Sequence, residues 1–192
     1  MGLWGAHEDA EAKPKFLTDV EKRDCYATTQ GWVVPAAGTD DATADKEVLV
    51  AIRGLSGGFS PGQTKAGLGQ ANVTSFNFIT TSYSVGTGVT MTVQANFNEV
   101  VSVSGTPQLT LTNTPGSNIT CNYASGSGTN RLTFSVVMGA GAPGQSANDV
   151  LSFGTNVLAL NSGAILDTND VAAVITNSAG IGTAGGTLTS AA

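Results

Sequence analysis

The chain has 192 residues, with 8 Lys and Arg against 14 Asp and Glu, a formal charge of -6 and one histidine, His7. That length is enough to bury a real core in one domain, or in a domain with an appendage. With no basic cluster the sequence lacks the electrostatic footprint that phosphate binding needs, which argues against a nucleic-acid partner. No stretch is apolar for long enough to cross a bilayer as a helix, so no membrane is expected.

Charge divides the chain in two. All the charged residues but Glu99, Arg131, Asp149, Asp167 and Asp170 fall in residues 1–70, and the boundary lies in the glycine-rich run 54–69. The expected organisation is an attachment region over 1–70 followed by a strand module over 71–192. Thr, Ser, Asn and Gly must keep the second region soluble.

In chain order, residues 1–12 show no periodicity and read as an extended arm bearing Trp4. The first six residues lack the basic and apolar runs of a secretory signal, and Ala6 stands where the myristoylation motif that starts at Gly2 wants Ser or Thr. Pro14 keeps its neighbour extended. Thr18-Asp19-Val20-Glu21 fits a capping box with Phe16 or Leu17 as a hydrophobic staple, which predicts a short helix over 19–27 closed by Gly31. Residues 32–34 and 47–52 read as two strands joined by an acidic loop. A two-stranded ribbon is marginal alone, so this hairpin is expected to pack on the module or on another chain.

The second region opens with a strand over 73–83, where slipping alternation predicts a bulge. From 89 to 136 one pattern repeats. Val89, Met91, Val93, Ala95 and Phe97 alternate with Thr90, Thr92, Gln94 and Asn96, so one side is buried and the other wet. Leu109 and Leu111, then Ile119, Cys121 and Tyr123, then Leu132, Phe134 and Val136 continue it across turns at 105–107, 113–116 and 126–128. Shorter strands follow at 150–153, 157–160, 164–166 and 171–175, and residues 180–192 read as a last edge strand or a tail. The class is all-β, a β-sandwich.

Two resemblances sharpen this. Asn96-Phe97-Asn98-Glu99-Val100-Val101-Ser102-Val103-Ser104-Gly105-Thr106-Pro107-Gln108-Leu109-Thr110-Leu111, followed by Tyr123-Ala124-Ser125-Gly126-Ser127-Gly128-Thr129 and Leu132-Thr133-Phe134, resembles the bacterial Ig-like repeat of large surface proteins and adhesins. The match spans about residues 71–180 and implies an Ig-like β-sandwich without enzymatic activity or cofactor. The front end, Leu3-Trp4-Gly5 with Lys13-Pro14-Lys15-Phe16-Leu17-Thr18-Asp19 and Gly31-Trp32-Val33, is similar to small virion structural proteins of tailed phages, especially cyanophages. Together they imply a capsid decoration or cement protein in the virion. It would bind the major capsid protein, or another virion protein, in repeated or homo-oligomeric copies. Its partner interface would use Leu3, Trp4, Phe16, Leu17 and Trp32. The alternative is a tail, neck or fibre component whose Tyr83, Tyr123 and Asn/Thr-rich loops contact a receptor or glycan.

Chemistry-bearing residues are few. His7 sits in the arm, far from any nucleophile, so no catalytic pair is read. The run from Gly139 to Gly144 matches G-x-G-x-x-G but opens no helix to hold a pyrophosphate, and reads as a loop. Asp167, Asn169 and Asp170 carry oxygens of the kind calcium prefers, yet one turn of them is short of a coordination shell and Asx residues are ordinary turn formers. Asn72-Val73-Thr74 and Asn118-Ile119-Thr120 are glycosylation sequons, idle without a secretory route. Asp40-Asp41 lies in a polar loop. Cys25 and Cys121 fall one in each region, which permits a disulfide but does not suggest one, and in a reducing cytosol two buried or idle thiols are expected.

Overall fold

A computed structural model describes residues 13–28, 30–35, 46–51, 70–84, 86–139, 146 and 148–191. Leu3, Trp4, His7, Asp40, Asp41 and most of the 139–144 loop lie outside the described residues. The elements are α1 (Asp19–Asp24), β1 (Tyr26–Thr28), β2 (Gly31–Pro35), β3 (Lys46–Val50), β4 (Val73–Phe78), β5 (Val89–Ser104), β6 (Gln108–Thr114), β7 (Ile119–Ser125), β8 (Thr129–Met138), β9 (Val150–Ala159), β10 (Ala164–Asp167), α2 (Ala179–Ala184) and β11 (Thr187–Thr189).

The long strand β5 organises the molecule. One of its edges pairs with β8, and the other with β4 over residues 93–97 and with β10 over residues 101–104. A single mixed sheet runs β11-β9-β6-β7-β8-β5-β1-β2-β3. It is mixed because β1 meets β5 in parallel, Ala27 opposite Glu99, while the other paired strands are antiparallel. The all-β expectation holds in this form.

The sheet also folds over on itself. Phe153 of β9 lies 5.3 Å from the ring of Phe76 and 4.6 Å from that of Phe78, both on β4, although β9 and β4 share no ladder. Between the two surfaces lies one core that includes Met91, Val93, Ala95, Phe97, Leu109, Leu111, Leu132, Phe134 and Leu151, all fully buried. The odd-numbered residues of β5 fill it, as the alternation requires.

Several elements differ from the sequence reading. The capping box is present, with Thr18 Oγ1 accepting the Glu21 N–H and Glu21 Oε2 accepting the Thr18 N–H at 2.8 Å. The helix stops at Asp24, however, because Tyr26 and Ala27 gain burial as a strand paired with Val33 and Trp32. The expected strands at 150–153 and 157–160 are one strand, β9. Residues 171–175 form isolated bridges through Ala172 and Val174. Residues 179–184 form α2, where an edge strand or tail was expected, and only 187–189 form the strand. A Cβ on Gly182 would strike the main chain of Phe153 and Gly154, and one on Gly185 the Phe153 ring. These glycines are poor helix formers, but they let α2 lie directly against β9.

The region before residue 70 is not spatially separate where it is described. Its hairpin β2–β3 joins the sheet through β1, with Leu17, Cys25, Ala27 and Trp32 forming a second, small core beneath Val34, Leu49 and Val50.

Candidate functional site

The junction between this leader and the sheet concentrates the polar chemistry of the molecule. On β5 the residues 93–97 are all buried, so both faces are covered there. Val93, Ala95 and Phe97 face the core, and Gln94 and Asn96 face the other way. Direct cross-strand neighbours share a face, so Ser75 of β4, Asn96 of β5 and Arg131 of β8 form one polar row on that outer side. Asn96 Nδ2 donates to Ser75 Oγ at 2.9 Å.

The leader covers this row. Arg131 Nη2 donates to Asp24 Oδ1 at 2.9 Å, with the arginine side chain 2% and the aspartate 38% exposed. β5 loses register with β8 between Asn96 and Val101, and in that gap Ala27 pairs with Glu99, which is fully buried. Arg23 at the end of α1 reaches across to the Ala184 carbonyl at 3.0 Å. The only cation of residues 71–192 is thus committed to holding the charged region in place.

Beside the row lies a cleft of about 410 Å³ lined by Lys13, Lys22, Arg23, Trp32, Thr74, Ser75, Asn98 and Ala184. Lys13 Nζ donates to the Lys22 carbonyl at 2.6 Å and to Thr74 Oγ1 at 3.4 Å. Burial lowers the Lys13 pKa to about 8, against the opposing pull of Cys25 and Asp24. The buried Trp32 Nε1–H has no acceptor among the described residues. Asn98 Oδ1 accepts the Asn72 N–H at 2.6 Å, which leaves its amide nitrogen as a donor.

Of the residues expected at a partner interface, Leu3 and Trp4 are outside the described residues. Leu17 (8% exposed) and Trp32 (1%) face inward, into the leader's small core, and Phe16 is 65% exposed. The sequence reading missed Arg131, Glu99, Lys13 and Asp24. A usable signal was present for the first two, since a buried strand pattern rarely carries a charge without a partner for it.

The Asp167 turn is a structural one. Asp167 Oδ1 accepts the N–H groups of Asn169 (2.7 Å) and Val171 (2.9 Å), fastening the 167–171 turn. Among the described residues no three His, Cys, Asp or Glu converge as metal ligands. Asp149 has a similar part: its Oδ2 accepts the Ser146 N–H at 3.1 Å and lies 3.4 Å from Asn113 Nδ2. Cys25 and Cys121 are free and buried. Burial pushes the two thiols up to about 11 and about 12, so neither is an activated nucleophile.

The chemistry assembled here is cation-rich and donor-rich, with both thiols held protonated by burial. No protein family, curated protein or solved structure matches the chain.

Proposed function

We propose that this chain is a non-enzymatic structural protein of a phage particle, a capsid decoration or cement protein that carries an Ig-like β-sandwich and attaches through its leader. The observation that carries the reading is Phe16, a large apolar side chain left 65% exposed on a leader that is hydrogen-bonded and ion-paired to the sheet. An anchor on such a leader is held in a fixed orientation to the sandwich, so force applied at one is transmitted to the other. Burying a side chain of this kind is worth about 1.5–3 kcal/mol. Multiplied over copies on one particle, contacts of that size seal joints between shell subunits. The sparsely charged module beyond the junction faces solvent or bridges neighbouring capsomers.

The test is quantitative mass spectrometry of purified particles. Hundreds of copies per particle agree with decoration of a symmetric shell, whereas about a dozen or fewer move the protein to a tail, neck or fibre. Deleting residues 1–34 is a poor companion experiment, because it removes β1 and most of β2 from the sheet. Phe16→Asp is the better variant, since it alters an exposed side chain without touching either core. It is expected to leave the protein folded and deplete it from particles. Undiminished incorporation of Phe16→Asp would remove the basis for the anchor.

A further inference from the structure

We propose that the leader is exchangeable between copies of this chain: the gap in β5 that receives β1 takes the leader of a second copy through the same contacts that it makes with its own. The gap belongs to the module. β5 loses register with β8 between Asn96 and Val101. Beside that break Asn98 is fastened to Asn72, its N–H donating to the Asn72 carbonyl at 3.0 Å and its Oδ1 accepting the Asn72 N–H at 2.6 Å. Neither feature uses a leader residue, so the module presents one docking edge to whichever copy fills it.

Three observations separate this junction from the interior of one indivisible domain. The apolar clusters share no residue: Leu17, Cys25, Ala27 and Trp32 pack together, and the module's core is built from residue 71 onward. The described ties across the junction are polar or main-chain, namely the single Ala27–Glu99 register, the Arg131–Asp24 pair, Arg23 on the Ala184 carbonyl and Lys13 on Thr74. Complementary ties of this kind select the right leader, and every copy carries it. The chain joining the two regions is also long for its span. β3, where the leader's ribbon ends, stands three ladders from β5, about 14 Å across the sheet. Residues 52–69, drawn out, reach about 60 Å.

A leader placed on a neighbour's module makes the contacts that it makes at home, so the balance is set by copy density and by the joining chain rather than by new contacts. A joining chain longer than its span holds the leader near its own module at an effective concentration on the order of 1 mM. Dilute copies therefore keep their own leaders. At a comparable density of copies, each chain gives one leader and accepts one, closing into a two-fold pair or continuing from copy to copy. Phe16, exposed on the leader, then stands beside the neighbour's module. The exchange is a property of the chain itself, whether or not Phe16 anchors it to a shell.

The experiment mixes isotope-labelled and unlabelled copies of the full chain in equal amounts at about 1 mM, in urea below the unfolding transition so that leaders can open and re-dock. Sedimentation and isotope-filtered NOE spectra are the readouts. The expected result is an associated species that dissociates on dilution by about a hundredfold and shows NOEs between Ala27 of labelled copies and residues 98–100 of unlabelled ones. A chain that stays monomeric at the higher concentration, or that associates with every Ala27 NOE still inside one copy, overturns the proposal. Deleting residues 54–69 leaves a join that reaches only about 10 Å, so this variant is expected to be oligomeric even when dilute. A folded monomer of the deletion variant overturns the proposal equally, and if the deletion does not fold the wild-type mixture decides. Phe16→Asp is expected to exchange as the wild type does, so loss of exchange and loss of incorporation into particles are read separately.

Discussion

The two regions of this molecule reach order by different means. The module beyond residue 70 buries a large apolar core from β4 to β11, and the described part of the leader has a small cluster of its own, Leu17, Cys25, Ala27 and Trp32, with Tyr26 and Val33 buried besides. A cluster that small around a three-stranded ribbon does not offset the chain entropy of ordering it. The leader is therefore held by its junction: the Ala27–Glu99 ladder, the Arg131–Asp24 pair, Arg23 on the Ala184 carbonyl and Lys13 on Thr74. Charge in the module shows the same logic. Of its five ionic residues, Glu99, Arg131, Asp149 and Asp167 are buried, so they fix loops and the leader and leave Asp170 at the surface. A low charge density is thus compatible with ionic groups that matter, provided that they sit at joints.

The comparison breaks most visibly under truncation of the two cores. Phe134→Ala in the module and Trp32→Ala in the leader each remove a fully enclosed aromatic, for which about 3–5 kcal/mol is the usual loss. Phe134→Ala is expected to lower global stability in urea. Trp32→Ala is expected to show its loss as faster hydrogen exchange in β1, β2 and β3, with β6 to β8 keeping their protection. Equal loss of protection in both regions of the Trp32 variant would make the molecule one cooperative unit and erase the distinction.

Alkaline titration comes next in size, and here Lys13 of the leader pulls against two buried thiols, one in each region. Lys13 has its folded pKa lowered from 10.5 to about 8, so the unfolded chain binds more protons between those values and stability rises with pH across that window. Cys25 and Cys121 have folded values raised from 9 to about 11 and about 12. Their contribution is complete below pH 9 and is lost as pH climbs toward the folded values. The trends offset each other from pH 9 to 10. Lys13→Met removes one of them, so its stability is expected to fall over that interval by about 1 kcal/mol more than that of the wild type. Parallel profiles in chemical denaturation at pH 8, 9 and 10 would show that Lys13 carries no such burden.

Asp24→Asn tests the joint itself. It takes the Asp24 carboxylate away from the buried Arg131 guanidinium, but Asp24 is 38% exposed and water takes part of the load, so about 1–2 kcal/mol is expected. The loss should be confined to leader amides.

Much of this was legible in the sequence and some was not, for local reasons. The capping box at Thr18, the hairpin around Trp32 and Val48, and the alternation from Val89 to Phe97 are near-neighbour patterns, and all three are present. What escaped the pattern depends on distant partners. Tyr26-Ala27-Thr28 continues a helical stretch in sequence but finds a strand edge opened by the register break in β5. Residues 179–184 have a loop's composition and become helical because Gly182 and Gly185 permit contact with β9. The candidate site was the least legible part, since Lys13, Asp24, Glu99 and Arg131 are scattered along the chain and only the junction between leader and sheet brings them together. The resemblance of the front end places Trp32 at a partner interface, and the local pattern alone shows no inward partner for it. Its partners, Leu17 and Cys25, belong to the same region.

The smallest effect is also the most diagnostic of how the leader works. Thr18→Ala removes the hydroxyl that caps α1, a change worth about 0.5–2 kcal/mol in exposed helices. The Glu21 carboxylate accepts the Thr18 N–H, which holds its pKa below the usual value, so this half of the cap persists above that range and is lost as pH falls through the lowered pKa. α1 has six residues and carries Lys22, Arg23 and Asp24, so its end supplies two of the cleft's cations and the acid that meets Arg131. A frayed cap therefore disturbs the cleft before it disturbs either core. Thr18→Ala is expected to leave the urea midpoint of the module within error and to broaden the amide signals of 19–24. Sharp signals over 19–24 together with a lowered midpoint would place α1 in the module's stability instead, and the leader would then be part of the core's scaffold.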